Sequence, residues 1–198
     1  QSDNKGWVQE FDANNNLTKR TDSEGNITTY SYNTHNQMTQ KTEAFGTNEA
    51  RTTTYEYLNT NSKNLYTKIT SPSVSANNNK ELLISYNANN QPIQITEQGF
   101  DPLGNAISRT TSMSYNDKAQ LISINGARTN ISDATAFTYY DCTTGSQCGQ
   151  LKTQTNALGH TTTFNSYNAN GQLSQQTDAN GLVSNYSYDD NARLTSIA

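Results

Sequence analysis

Along this chain aromatic and polar residues alternate with a period of two, and the alternation breaks at short runs rich in Asn, Asp and Gly. Tyr30 and Tyr32, Tyr55 and Tyr57, Phe137 and Tyr139, and Tyr186 and Tyr188 each stand two apart with a polar residue between them. In extended backbone successive side chains point to opposite faces, so each pair puts both rings on one face of a strand. Ile84 with Tyr86 and Met113 with Tyr115 repeat the pattern with an aliphatic partner. Thr28, Thr29, Thr52 to Thr54 and Thr161 to Thr163 fill the same segments with β-branched residues suited to strands. Phe164 and Tyr167 are three apart, which predicts a one-residue β-bulge. No segment shows a helical period.

The second aromatic of each pair opens a recurring turn. Phe11 begins FDANNNL, Tyr32 YNTHNQM, Tyr86 YNANNQP, Tyr115 YNDKAQL, Tyr167 YNANGQL and Tyr188 YDDNARL. In most of these an aliphatic residue follows the aromatic: Leu17, Met38, Leu121, Leu173 and Leu194. Tyr57 to Leu65 and Tyr139 to Leu151 fit with longer turns, giving eight copies whose anchors lie 21 to 29 residues apart. Each copy reads as a hairpin, and Asn170-Gly171 is a strong turn signal because both residue types tolerate positive φ. A second class of turn joins one copy to the next, as in Asp22-Ser23-Glu24-Gly25, Asp101-Pro102-Leu103-Gly104, Asn156-Ala157-Leu158-Gly159 and Asp178-Ala179-Asn180-Gly181. There the Asp or Asn side chain caps the turn and Gly supplies the final φ. The segments 71–80 and 125–135 read as longer surface loops. The expected fold is all-β: an antiparallel meander of tandem hairpins, one array over 1–198. So many twisted strands cannot stay flat, which predicts a curved or spiralling sheet. Its stability is expected to come from neighbour to neighbour.

Composition sharpens this picture. Hydrophobic residues make up only 31% of the chain and mean hydropathy is −0.88, too apolar-poor for an ordinary core. Disorder does not follow, because charged residues are only 15% and there are 12 Tyr. Neither face of the sheet is therefore expected to form a continuous dry core. The net charge of −4 with scattered Lys and Arg offers no basic stripe, which argues against nucleic acid as a partner. No apolar run is long enough to insert into a membrane. Gln1 to Gly6 reads as a start inside a longer chain.

Candidate chemistry is sparse. Cys142 and Cys148 lie in one expanded turn, DCTTGSQCGQL, close enough for a structural disulfide, which would imply an oxidising compartment; two unpaired surface thiols are the alternative. They are not a C-x-x-C pair, and no His or Cys cluster completes a zinc site. His35 and His160 sit in turns without a neighbouring nucleophile or carboxylate at catalytic spacing. Asp12-Asn14-Asn16 lacks the glutamate and spacing of a calcium loop. No catalytic, cofactor or metal residue is expected, and no enzyme activity. The anchors Tyr32, Tyr57, Tyr86, Tyr115, Tyr139, Tyr167 and Tyr188 are expected to pack across strands and fix register. Exposed rings could alternatively stack on sugars.

The Tyr-x-Tyr strand, the Asp/Asn-rich turn and the trailing Gly-x-x-Thr-x-Tyr resemble the YD repeat of the Rhs family. Gly25-Asn26-Ile27-Thr28-Thr29-Tyr30-Ser31-Tyr32-Asn33 and Gly181-Leu182-Val183-Ser184-Asn185-Tyr186-Ser187-Tyr188-Asp189 carry it most plainly. Such repeats occur in bacterial Rhs polymorphic toxins, BC components of Tc toxin complexes, wall-associated proteins and teneurins. The resemblance implies a segment of a hollow β-shell that encloses or displays a toxin or effector domain for delivery. Its partners would be the rest of the same polypeptide and a C-terminal toxin cargo, and it would be secreted or on the bacterial cell surface. A cell-surface adhesive or carbohydrate-binding module, with glycans as ligand, is the alternative. The chain is too short to close a shell and lacks the family's core-ending region, so it reads as a fragment of a larger protein. Asp101-Pro102-Leu103-Gly104 shares letters with that region's DPxG segment, but is read as a turn with no cleavage site.

Overall fold

The computed structural model describes residues 6–57, 65–73, 78–142 and 145–198. Most of the long turn after Tyr57, the middle of the 71–80 loop and the centre of the cysteine turn lie outside these residues. Sixteen strands and no helix are present among them, as the period-two alternation requires. Strand order is sequence order, and every pairing is antiparallel. The chain forms two compact units, Gln1–Thr110 and Thr111–Ala198.

The first unit holds β1 (Val8–Phe11), β2 (Leu17–Thr21), β3 (Ile27–Tyr32), β4 (Met38–Glu43), β5 (Arg51–Glu56), β6 (Lys68–Pro72), β7 (Asn79–Tyr86) and β8 (Pro92–Phe100). The boundary falls within β9 (Ala106–Tyr115). The second unit continues with β10 (Leu121–Asn125), β11 (Thr135–Tyr139), β12 (Leu151–Thr155), β13 (Thr161–Tyr167), β14 (Leu173–Thr177), β15 (Val183–Tyr188) and β16 (Leu194–Ile197). The expected loop at 125–135 is present, drawn in by the Arg128 amide donating to the Asp133 carboxylate at 3.2 Å.

Among the described residues no hydrophobic side chain is fully buried, and Thr42, 7% exposed, is the one buried polar residue. Strand side chains are instead half-covered by their lateral neighbours. Threonine hydroxyls meet across strands at Thr42–Thr52 (3.0 Å), Thr96–Thr110 (3.0 Å), Thr138–Thr153 (2.6 Å) and Thr155–Thr161 (2.8 Å). Such pairs contribute roughly 0.2–1 kcal/mol each. This explains how a chain so poor in apolar residues holds its strands: stabilisation is spread over many lateral contacts. The outer strands β1 and β16 are exposed at every residue. Just before β1, the Trp7 ring lies under the Arg20 guanidinium of β2 at 3.4 Å, covering part of an otherwise open edge.

Candidate functional site: a tyrosine stitch between hairpins

The turns expected in two classes share one geometry. In the hairpin turn Asn168–Gln172, the Gly171 amide donates to the Asn168 carbonyl and the Asn168 amide to the Gln172 carbonyl, both within 2.9 Å. The Asn168 side-chain oxygen accepts from the amides of Asn170 and Gln172, each at 3.0 Å. The connecting turn Asp178–Leu182 repeats all four bonds with Asp178 as the cap. Only the fourth residue differs in preference. Hairpin turns place Asn15, Asn36, Asn90, Ala119, Gly171 or Ala192 there at φ 59 to 75°, while Gly25, Gly104, Gly159 and Gly181 take φ 81 to 90°. Asn and Ala can occupy the former at modest strain; the wider angle suits glycine. Asn170 keeps a negative φ, so Asn-Gly here is not a doubly positive turn: only Gly171 crosses over.

Beyond each hairpin turn the returning strand carries a bulge, seen as a register shift beside Phe11, Tyr32, Tyr86, Tyr167 and Tyr188. The bulged residue is often hydroxylic, and its side chain reaches the partner strand. Thr18 donates to the Glu10 carbonyl, Thr39 to Ser31 and Thr195 to Ser187, at 3.0 to 3.3 Å. β13 has an additional bulge at Asn165, between Phe164 and Ser166, where the sequence spacing expects it.

Successive hairpins pair well near the connecting turn. On the β2–β3 ladder the register runs only from Thr21↔Ile27 to Lys19↔Thr29, leaving the hairpin-turn end unpaired. The anchor tyrosine closes that gap. Tyr32 on β3 donates its hydroxyl to the Leu17 carbonyl at the start of β2 (2.9 Å). Tyr57 does the same to Met38 (3.0 Å), Tyr139 to Leu121 (2.7 Å), Tyr167 to Leu151 (2.7 Å) and Tyr188 to Leu173 (2.9 Å). Tyr86 reaches the Tyr66 carbonyl at 3.1 Å, so in the β5–β6 hairpin, with its longer turn, it is Tyr66, not Leu65, that supplies the acceptor. Tyr66 also stacks edge-on with Tyr55 and Tyr57, at 6.1 and 6.5 Å between centroids. Tyr115 lies 3.9 Å from the Met113 sulfur. Half-burial of the phenols raises the pKa of Tyr32, Tyr57, Tyr86, Tyr139 and Tyr167 above the ordinary value, keeping each hydroxyl protonated as a donor.

A second lateral contact was not singled out from the sequence. The residue closing each hairpin turn is usually an amide, and it reaches the neighbouring turn. Asn16 donates to the Asn36 side chain (3.0 Å), Gln120 to the Gly149 carbonyl (2.8 Å) and Gln172 to the Ala192 carbonyl (2.9 Å). The signal was present as the recurring Gln before the aliphatic residue. Its direction across the strands was not.

Cys142 and Cys148 are joined, with Cα atoms 4.2 Å apart. Their turn folds across β12 onto the bulged strand β13. Tyr140 donates to the carbonyls of Phe164 (2.8 Å) and Asn165 (3.0 Å), Gln147 to Asn165 (3.1 Å) and Ser146 to Tyr167 (3.0 Å). The turn thus satisfies carbonyls that the bulge withdraws from the ladder. Tyr140 breaks the alternation at Tyr139, which is why it drew no attention in sequence. His35 and His160 are turn residues, each donating its amide to the capping Asn. Asp12 caps its turn through Asn16 and Asn14, and hydrogen bonds from Asn16 hold its carboxyl below the usual range. Asp101, in the sequence Asp-Pro-Leu-Gly, caps an ordinary connecting turn, its carboxyl lowered chiefly by the Asn105 amide side chain.

A family model described as RHS Repeat matches residues 11–47 and 167–198, the two stretches where the hairpins are most regular. No curated protein matches the sequence. Among solved structures, the crystal structures of TcdB2-TccC3-Cdc42 and of TcdB2-TccC3 without its hypervariable C-terminal region each align with a TM-score of 0.71 at 14% identity, over 96% of this chain and 10% of theirs. That of TcdB2-TccC3 aligns at 0.59 and 12% identity, over 97% of this chain and 11% of its own. The chain therefore spans about a tenth of the length of these structures, and the likeness is one of fold. The chain thus carries RHS repeats over residues 11–47 and 167–198, and the same stitched hairpin recurs between them, as the resemblance to the Rhs/YD-repeat family implies.

Proposed function

We propose that this chain is a scaffold segment: a continuous array of YD hairpins, part of a larger secreted or surface polypeptide, that helps enclose or display a toxin or effector domain. The supporting observation is the tyrosine stitch. Six anchors spend their hydroxyls on the carbonyl of the preceding hairpin, so the repeat is built to propagate a sheet laterally. A sheet that adds hairpins in one direction, each twisted against the last, curves into a wall, and its partners are the neighbouring repeats of the same polypeptide and the cargo behind them. No catalytic role is assigned. The same stitch weighs against the glycan-binding alternative, because the phenol proton is committed to a carbonyl and the half-buried ring offers less open face for a sugar to stack on.

Limited proteolysis of the full-length parent tests this reading. The expected result is a resistant repeat region that retains the terminal domain intact after its linker is cut. A terminal domain digested as fast as the isolated domain overturns it. A glycan array showing saturable binding that Tyr-to-Phe substitution abolishes would favour the adhesive reading instead.

A further inference from the structure

Three consecutive strands depart from the repeat. β7, β8 and β9 run 8, 9 and 10 residues, whereas the other strands have 4 to 7. The hairpin motif does not call for the extra length, since Tyr86 already makes its stitch at the turn end. The added residues, on the first unit, surround a hollow of about 480 Å³, within the size range of small-molecule sites.

Gly99 lies in that hollow. It is the one glycine inside a strand among the described residues, and its φ is not positive. A Cβ there would meet only the Lys80 Cβ at an ordinary 3.6 Å. Neither backbone conformation nor crowding requires glycine, which weakens a strand. What its absent side chain provides is space. Ile69, Leu82 and Ile107 give the hollow an aliphatic floor, and Lys80, Arg109 and Glu97 stand at its margin. Among the described residues no ion pair engages any of these three charged groups, although Lys68 nearby is paired with Glu81.

We infer that this hollow binds an aliphatic monocarboxylate, its chain on the Ile69, Leu82 and Ile107 floor above Gly99 and its carboxylate between Lys80 and Arg109. The charges select the class. Glu81 also lines the hollow but is neutralised by Lys68 at 2.8 Å, so Lys80, Arg109 and Glu97 leave a single net positive charge. One anionic group is matched, while Glu97 repels a phosphate or other polyanion. The floor demands apolar surface on the same molecule, which excludes small polar acids. This inference rests on the hollow alone and is independent of the scaffold reading.

Titration of the intact chain with decanoate, followed by amide chemical shifts, tests it. Shifts are expected at Leu82, Gly99, Ile107 and Arg109, with decanol and decyl phosphate each binding more weakly. Lys80→Gln with Arg109→Gln should weaken decanoate by about tenfold or more, the loss of a charge-assisted contact. Gly99→Val should abolish the shifts, and the exposed double glutamine variant keeps the test open if the valine disturbs β8. Absence of saturable shifts, equal binding of decanol, or unchanged affinity in the double variant overturns the assignment.

Discussion

Removing one hydroxyl from the stitch isolates its contribution. In Tyr167→Phe the ring stays and only the 2.7 Å bond to the Leu151 carbonyl is lost. A neutral hydrogen bond is worth about 0.5–1.5 kcal/mol net. Leu151 and Tyr167 are both half-buried, so water can partly replace the donor, and about 1 kcal/mol is expected. That corresponds to roughly a fivefold rise in the local opening equilibrium. Tyr167→Ala also uncovers the ring. Half of a Tyr side chain is about 100 Å² of surface, which at 25 cal/mol per Å² adds about 2–3 kcal/mol. In an array whose contacts are lateral, neither loss should spread far. Native-state hydrogen exchange reads this directly: amides of β12 and β13 should exchange about five times faster in Tyr167→Phe, with those at the β15–β16 hairpin unchanged. Wild-type exchange at β12 and β13 in the Phe variant would show that the hydroxyl does not hold the hairpins. A uniform acceleration across the unit would refute neighbour-to-neighbour coupling.

Reduction of Cys142–Cys148, or Cys148→Ser, should cost about 2 kcal/mol by the loop-entropy relation for so short a ring; the loss should appear as faster exchange around Phe164 to Tyr167, and an unaffected β13 would show that the turn does not support the bulge. Hydrogen bonds from neighbouring amides and side chains lower the pKa of Asp12, Asp22, Asp101 and Asp189. Their stabilisation is therefore complete above the ordinary carboxylate value of about 3.9 and is lost as pH falls through the depressed folded values. Circular dichroism against pH should show acid loosening that Asp22→Asn and Asp101→Asn reduce, since Asn33 and Asn87 already hold the same turn without a charge. The tyrosines behave oppositely: with folded pKa raised, their contribution is intact below about pH 10 and is lost as pH rises through the folded values. Phenolate absorbance should lag free tyrosine, and titration coincident with free tyrosine would contradict the half-buried donors. Gln172→Ala should loosen the Ala192 turn by about 1 kcal/mol, and in the Asn168 turn it removes the bond from the Asn168 side-chain amide to Gln172 Oε1 while the backbone bonds remain.

The periodic features of this protein were set by its sequence, because they arise from contacts a few residues long. Alternation at Tyr30 and Tyr32 dictates a strand, an Asp or Asn cap three residues before a positive-φ residue dictates a turn, and the extra residue between Phe164 and Tyr167 dictates a bulge. Tertiary structure decided what those elements do to each other. The tyrosine hydroxyls meet carbonyls 15 to 20 residues earlier, and the amide of Gln172 meets a turn 20 residues later. Neither distance is fixed by local geometry, since it depends on how each pair of strands parts toward the turn. The equivalence of the two turn classes was hidden for the same reason: Gly in one and Asn or Ala in the other mark a difference of some 20° in φ at one residue, not a different fold of the chain. Tyr140 and Gly99 were silent in sequence because one lies outside the alternation and the other has no side chain. Only with the cysteine turn laid over β13 and β8 extended between Lys80 and Ile107 do those positions acquire a role.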